Sequence, residues 1–300
     1  MIGHQKILDF FDKSIENDRL SHAYLFCGPT GIGKRTMALE IIKRVNGCDD
    51  NHPDVSIISS NITENEKTKR ESEIGIDQVK QIQHQMSLSS YSAPYKVALI
   101  NKAEKMTTEA SNCLLKTLEE PTGKSILILN TGNKDALLPT IVSRCQMVKF
   151  MPVADVEIKS AFKNEFANFE NDKIDQIIQL ANGCPGIVFN HLNNPHLIKE
   201  YEQSIIDLRK LIKSDLNERY KFAEEIVKNI TQTYQVLNWW TIWLRVKLIN
   251  KINCNLSDGD INYSLPDFRR IIIAIRKTKD ILGNSSFNAR LALEVLMLEL

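Results

Sequence analysis

One stretch restricts this chain more than any other. A short apolar run at 23–27 (AYLFC) leads directly into Gly28, Pro29, Thr30, Gly31, Ile32, Gly33 and Lys34, after which 35–45 reads as a helix. Strand, glycine-rich turn and helix in that order fit G-x-x-x-x-G-K. In such a turn successive backbone N–H groups and a helix N-terminus face an anion, and the lysine adds a charge for the β and γ phosphates. Gly28, Gly31, Gly33, Lys34 and Thr36 are therefore the candidate nucleotide-binding residues. The motif fails at its last position. Arg35 stands where a serine or threonine hydroxyl holds Mg²⁺, and Thr36 is one place late, about 100° further round the helix.

The turn sits in an alternating chain. Apolar runs at 55–58, 96–100 and 126–129 read as further buried strands, and helical patterns at 76–86 and 107–119 fall between them. Ile76, Val79, Ile82 and Met86 share a face of the first helix; Ala110, Cys113, Leu114 and Leu118 share one of the second. This alternation specifies a parallel α/β sheet. In a nucleotide-hydrolysing sheet, a neighbouring strand ends in an aspartate that orients the metal and its water. Here that strand ends at Asn101, a neutral amide that neither balances a cation nor acts as a base, although Glu104 follows at a plausible place. Two departures in one metal site argue against a working hydrolase.

Three hundred residues exceed what one hydrophobic core usually supports, so division into domains is expected. Eight of the nine prolines and ten of the twelve glycines precede position 196, which predicts an almost wholly helical final third. The expected parts are an α/β domain at 1–150, a small helical domain at 151–195 and a helical domain at 196–300. The second holds helices at 153–166 and 173–182 and a turn at 183–186. The third holds about five helices, one of them at 234–252 with Trp239, Trp240 and Trp243.

Lys plus Arg (38) nearly balance Asp plus Glu (37), and no segment is a basic arm, so nucleic-acid contact has to be local. No secretory leader or membrane span is evident, and a soluble, cytoplasmic protein is expected. The six cysteines are scattered singly and read mostly as small buried hydrophobes. His4, His22, His84, His191 and His196 lack partner acids at catalytic spacing and read as structural. The tryptophans read as core or subunit interface, Glu119 and Glu120 as the end of a helix before Pro121, and 60–75 as a solvated loop.

Several blocks stand in order: IGHQKI at 2–7, HAYLFCGPTGIGK at 22–34, HPDV at 52–55, IDQVKQI at 76–82, YKVALINKAEKMTTEASNCLLKTLEEP at 95–121 and LLPTIVSRCQ at 137–146. With them, about the first 190 residues resemble the bacterial DNA polymerase III clamp-loader subunits, most closely the delta-prime kind. The last two blocks are the most specific. The resemblance implies an AAA+ type P-loop domain, a helical lid and a helical collar that serves in oligomerisation. It also implies that Ser143, Arg144 and Cys145 match the family's Ser-Arg-Cys motif, whose arginine enters the ATP site of an adjacent subunit.

The resemblance further implies the partners: gamma or tau ATPase subunits and the delta subunit, with the sliding clamp and primed DNA reached through the complex, and no membrane. Departures favour a non-hydrolysing member. Besides Arg35 and Asn101, the arginine that family ATPases use to sense nucleotide from the lid would fall near Gly186. No cofactor of the chain's own is expected beyond weak ATP or ADP binding at the degenerate turn. Zinc is not expected either, because of the family's four-cysteine module only Cys48 and His52 remain as ligands. Two rival readings stay open: a gamma/tau-like ATP-hydrolysing motor, and a stand-alone DNA-binding protein that uses its helical third.

Overall fold

Strands that must be buried on both faces take their hydrophobic residues continuously, and the strand at 23–27 does so. In the computed structural model, which describes residues 1–60, 62–65, 68–121, 123–252, 263–282 and 288–300, the helix α1 (Gln5–Glu16) leads into β1 (Ala23–Cys27). There follow α2 (Lys34–Asn46), β2 (Val55–Ser59), β3 (Ile62–Asn65), β4 (Thr68–Glu71), α3 (Ile76–Ser87), β5 (Lys96–Asn101) and α4 (Thr108–Glu119). Then come β6 (Ser125–Thr131), α5 (Pro139–Val142), β7 (Gln146–Lys149) and α6 (Asp155–Ala161).

Five strands form one sheet in the order β2-β5-β6-β1-β7, with each of its neighbouring pairs parallel. Side chains alternate across a strand. Ala23, Leu25, Ala98, Ile100, Leu127 and Leu129 thus meet Val79 and Ile82 of α3 and Ala110, Leu114 and Leu118 of α4 on one face. Tyr24 and Phe26 point to the other face, where both rings pack against Phe11 of α1. The α/β class and parallel sheet expected from the alternation are present. The register sets Asn101 beside Asn130 and Cys27 beside Thr131, so the carboxyl ends of β5, β6 and β1 finish in line. Ligands of open α/β sheets bind at such an edge.

Two readings need correction here. The segment 60–75, read as a solvated loop, carries β3 and β4, which pair with each other as a separate two-stranded sheet. The helix expected at 153–166 is α6 followed by a short 3₁₀ turn, Glu165–Asn168. Of the cysteines, Cys184 is buried, whereas Cys27, Cys48, Cys113 and Cys145 are only partly so; Cys254 lies outside the described residues.

The remaining chain is helical: α7 (Asn171–Ala181), α8 (Pro185–Asn193), α9 (His196–Lys213), α10 (Leu216–Ile226), α11 (Ile230–Ile252), α12 (Leu265–Leu282) and α13 (Ala289–Glu299). Two compact units result. The first comprises Met1–Thr63, Glu71–Asn168 and Gly183–Val188; the second comprises Glu64–Arg70, Phe169–Asn182 and Phe189–Leu300. The core of the second gathers Leu208, Leu237, Trp239, Trp240, Trp243, Ile271, Ile275 and Leu293. The indole of Trp240 donates to the Ser204 carbonyl at 2.9 Å and stacks on Phe222, so the tryptophans are core residues. Among the described residues no helix is long and apolar enough to cross a membrane.

Candidate functional site

The glycine-rich turn joins β1 to α2 as the sequence predicts. Gly31 and Gly33 take φ values of +82° and +106°, which side chains rarely adopt, and Gly33 opens α2 without a side-chain cap. A Cβ at Gly28 would lie 2.8 Å from the Phe150 carbonyl oxygen, so the turn also needs glycine for room. Lys34 bends back over this turn and donates to the carbonyls of Gly28 at 2.5 Å and Pro29 at 2.9 Å. Burial lowers its pKa, while the charge of Glu104 opposes that shift. The start of α8 closes on the same turn: Gly186 N–H donates to Gly31 O at 2.8 Å, and a Cβ at Gly31 would come within 2.9 Å of Ile187. Arg35 and Thr36 are exposed on the first turn of α2.

At the strand ends, the Asn130 amide donates from Nδ2 to Asn101 Oδ1 at 2.8 Å, with Asn101 only 8% and Asn130 3% exposed. Glu104 Oε1 accepts from Gly132 N–H at 3.1 Å. Asn130 Oδ1 and Glu104 Oε2 are buried oxygens without a hydrogen-bond partner, but so is the donor Asn101 Nδ2. A magnesium ion wants an oxygen set that includes a carboxylate. The carboxylate at this edge is Glu104, whose Oε1 is taken by Gly132 N–H, while the strand end offers an amide already engaged with Asn130 and an arginine follows Lys34, so the edge is poor in oxygen ligands for that ion. Among the described residues no group of three or more His, Cys, Asp and Glu stands where it could hold a metal.

The second predicted feature is the Ser143-Arg144-Cys145 turn, which closes the C-terminal end of α5. A helix leaves its last carbonyls unsatisfied. Here Ser143 N–H donates to Pro139 O at 3.0 Å and Arg144 N–H to Ile141 O at 3.1 Å. The Ser143 hydroxyl and one terminal nitrogen of Arg144 both donate to Thr140 O, at 3.1 and 3.0 Å. Cys145 packs against the sheet core, and burial pushes its thiol up to about 12, disfavouring the thiolate. Arg144 Nη2 pairs with Glu119 Oε1 at 2.7 Å.

The structure thus brings Gly28, Gly31, Gly33, Lys34, Asn101 and Glu104 to one edge of the sheet. Arg144 is engaged instead by α5 and α4. Glu119 ends α4 as expected, but neither its pairing with Arg144 nor the part played by Asn130 was signalled by any motif.

Residues 3–154 match the family model described as DNA polymerase III, delta subunit. The chain is 33% identical over 165 residues to DNA polymerase III subunit delta′ of Bacillus subtilis, a match covering 49% of this chain and 47% of that protein. It is 30% identical over 166 residues to subunit tau of the same organism, covering 53% of this chain and 30% of that one. The match therefore spans about half of the first relative and under a third of the second. Among solved structures, a DNA polymerase III, gamma subunit-related protein of Thermotoga maritima superposes with a TM-score of 0.51 at 18% identity, covering 96% of this chain and 97% of that one. That likeness shows the fold alone.

Proposed function

The chain belongs to the DNA polymerase III, delta subunit family, and from that premise we propose that it is a non-hydrolysing subunit of the clamp loader. On this reading it sits beside a gamma or tau ATPase subunit, supplies Arg144 in trans to the ATP held there, and helps load the sliding clamp onto primed DNA. The observation that carries the reading is the Asn101–Asn130 amide pair, which occupies the strand end where a hydrolase needs an aspartate. Arg35 in the hydroxyl's place and Lys34 turned onto its own loop point the same way.

Arg144 supplies what the neighbour's reaction needs. A planar guanidinium donates forked hydrogen bonds to oxygens that gain charge as the phosphoryl group moves, a contact strongest in the transition state. An arginine supplied in trans is worth ~10³ to 10⁵ in rate at the site it serves.

The test is steady-state ATP turnover of the loader reconstituted with its ATPase and delta subunits, clamp and primed DNA. Arg144→Ala should leave the complex assembled by gel filtration and lower turnover in part, because other subunits serve the remaining sites. Arg144→Lys should rescue poorly, since an ammonium lacks the fork. Unchanged turnover and loading in an assembled Arg144→Ala complex refutes the role. A gamma/tau-like motor is the second reading, favoured by the match to subunit tau and by the retained Lys34.

A further inference from the structure

A carboxylate at the last residue of a helix works against the helix, because the unsatisfied carbonyls there already carry partial negative charge. Glu119 is that residue in α4, and the basic residue of the same turn is Lys116. The cost calls for a gain elsewhere, and the structure shows one contact that could supply it: Glu119 Oε1 lies 2.7 Å from Arg144 Nη2. The side chains are 51% and 36% exposed, and half-exposed ion pairs add little to folding stability. The pair's value must therefore lie in what it does to Arg144.

An arginine side chain turns about several bonds and spreads over many rotamers when unanchored. Arg144 is held twice: one terminal nitrogen donates to Thr140 O at 3.0 Å and the other pairs with Glu119. Two anchors on the two terminal nitrogens fix the plane of the guanidinium. Of its five N–H donors these bonds take two, and the remainder stay open for a phosphoryl group. Ser143, bonded to the same Thr140 carbonyl, and Cys145, partly buried against the sheet core, hold the backbone beneath it.

We propose that Glu119 is a positioning residue for Arg144, aligning its guanidinium before the neighbouring subunit's ATP meets it; this rests on the reading of Arg144 as a donor in trans. Glu119 touches no reacting atom. It raises the fraction of Arg144 side chains already in the productive plane, so it acts on the rate constant and not on ATP affinity, which the neighbour's own phosphate loop sets.

The experiment compares wild type, Glu119→Ala, Glu119→Gln, Arg144→Ala and the double variant in the reconstituted loader. Each is scored as the part of clamp- and DNA-stimulated kcat that Arg144→Ala removes. Glu119→Ala should lower that part about twofold to fivefold, the population bias a half-exposed ion pair provides, with KM for ATP unchanged. Glu119→Gln, which keeps an acceptor of the same reach, should restore most of it. In the Arg144→Ala background, Glu119→Ala should change nothing further. Wild-type turnover or higher in an assembled Glu119→Ala complex overturns the proposal, as does a loss that persists in the Arg144→Ala background or appears only in KM. If Arg144→Ala itself has no effect, the reading beneath the proposal fails instead.

Discussion

Asp54, the acid of the HPDV block, offers the sharpest test of how this sheet domain is held. Its carboxylate is 1% exposed and accepts from the backbone N–H groups of Tyr91, Ser92 and Ala93 at 2.8 to 3.0 Å, with Lys96 Nζ 3.8 Å away. Burial alone would raise its pKa, but the three amides and Lys96 together hold it at about 2 against an ordinary 3.8. At about 1.4 kcal/mol per unit, that depression is worth roughly 2 kcal/mol of folding stability. Because the folded-state pKa is the lower one, this contribution is complete above the ordinary value and disappears as pH falls towards 2.

Asp54→Asn keeps one oxygen but turns an N–H₂ group towards the same amides, leaving buried donors unmet. At about 1 to 3 kcal/mol for each buried group left unmet, the expected loss at neutral pH is roughly 2 to 4 kcal/mol. Urea unfolding followed by far-UV circular dichroism measures it, with hydrogen exchange at residues 91–93 as the local reading. Other carboxylates titrate alike in both proteins, so the difference between wild type and variant should narrow by about 2 kcal/mol between about pH 5 and pH 2. A difference constant across that range, or a loss below about 1 kcal/mol at neutral pH, refutes the reasoning.

Two further outcomes are expected. The isolated chain should turn over no ATP above a blank, because Arg35 and Asn101 remove the ligands of the metal; magnesium-dependent turnover that vanishes in Lys34→Ala would establish the motor reading. Trp240→Ala should cost about 3 to 5 kcal/mol, since the ring is fully buried and its N–H has a partner in Ser204, and urea denaturation should show a lowered midpoint.

Much of the first unit was legible because local signals agree there. The run at 23–27, the glycine turn and the helix after it carry their periods and punctuation in adjacent residues, and the strands appear within a residue or two of their expected bounds. The pairing of β3 with β4 was not legible, for these strands (ITEN and TKRE) lack the apolar alternation that marks a buried face. The break after α6 was hidden by a helical period that continues through Phe162 and Phe166. The site divides in the same way. Lys34 and Arg144 announce themselves through motifs, whereas Glu119 meets Arg144 only because α4 packs against α5, and Asn130 meets Asn101 only through strand register.

That register gives the departures a common physical basis. An aspartate at 101 would carry a full charge into a nearly buried strand end, where only a bound cation or a paired base could hold it. With an arginine following Lys34, the place of the hydroxyl that would help seat such a cation is taken. A neutral amide suits a strand end of this kind, because Asn130 can donate to it without charge and the two strands keep their pairing. Lys34 donates hydrogen bonds to the carbonyls of its own turn. On the proposed reading the turn and its strand ends persist as packing, while Arg144, the group offered for phosphoryl chemistry, stands in the turn after α5 with its partner Glu119 at the end of α4.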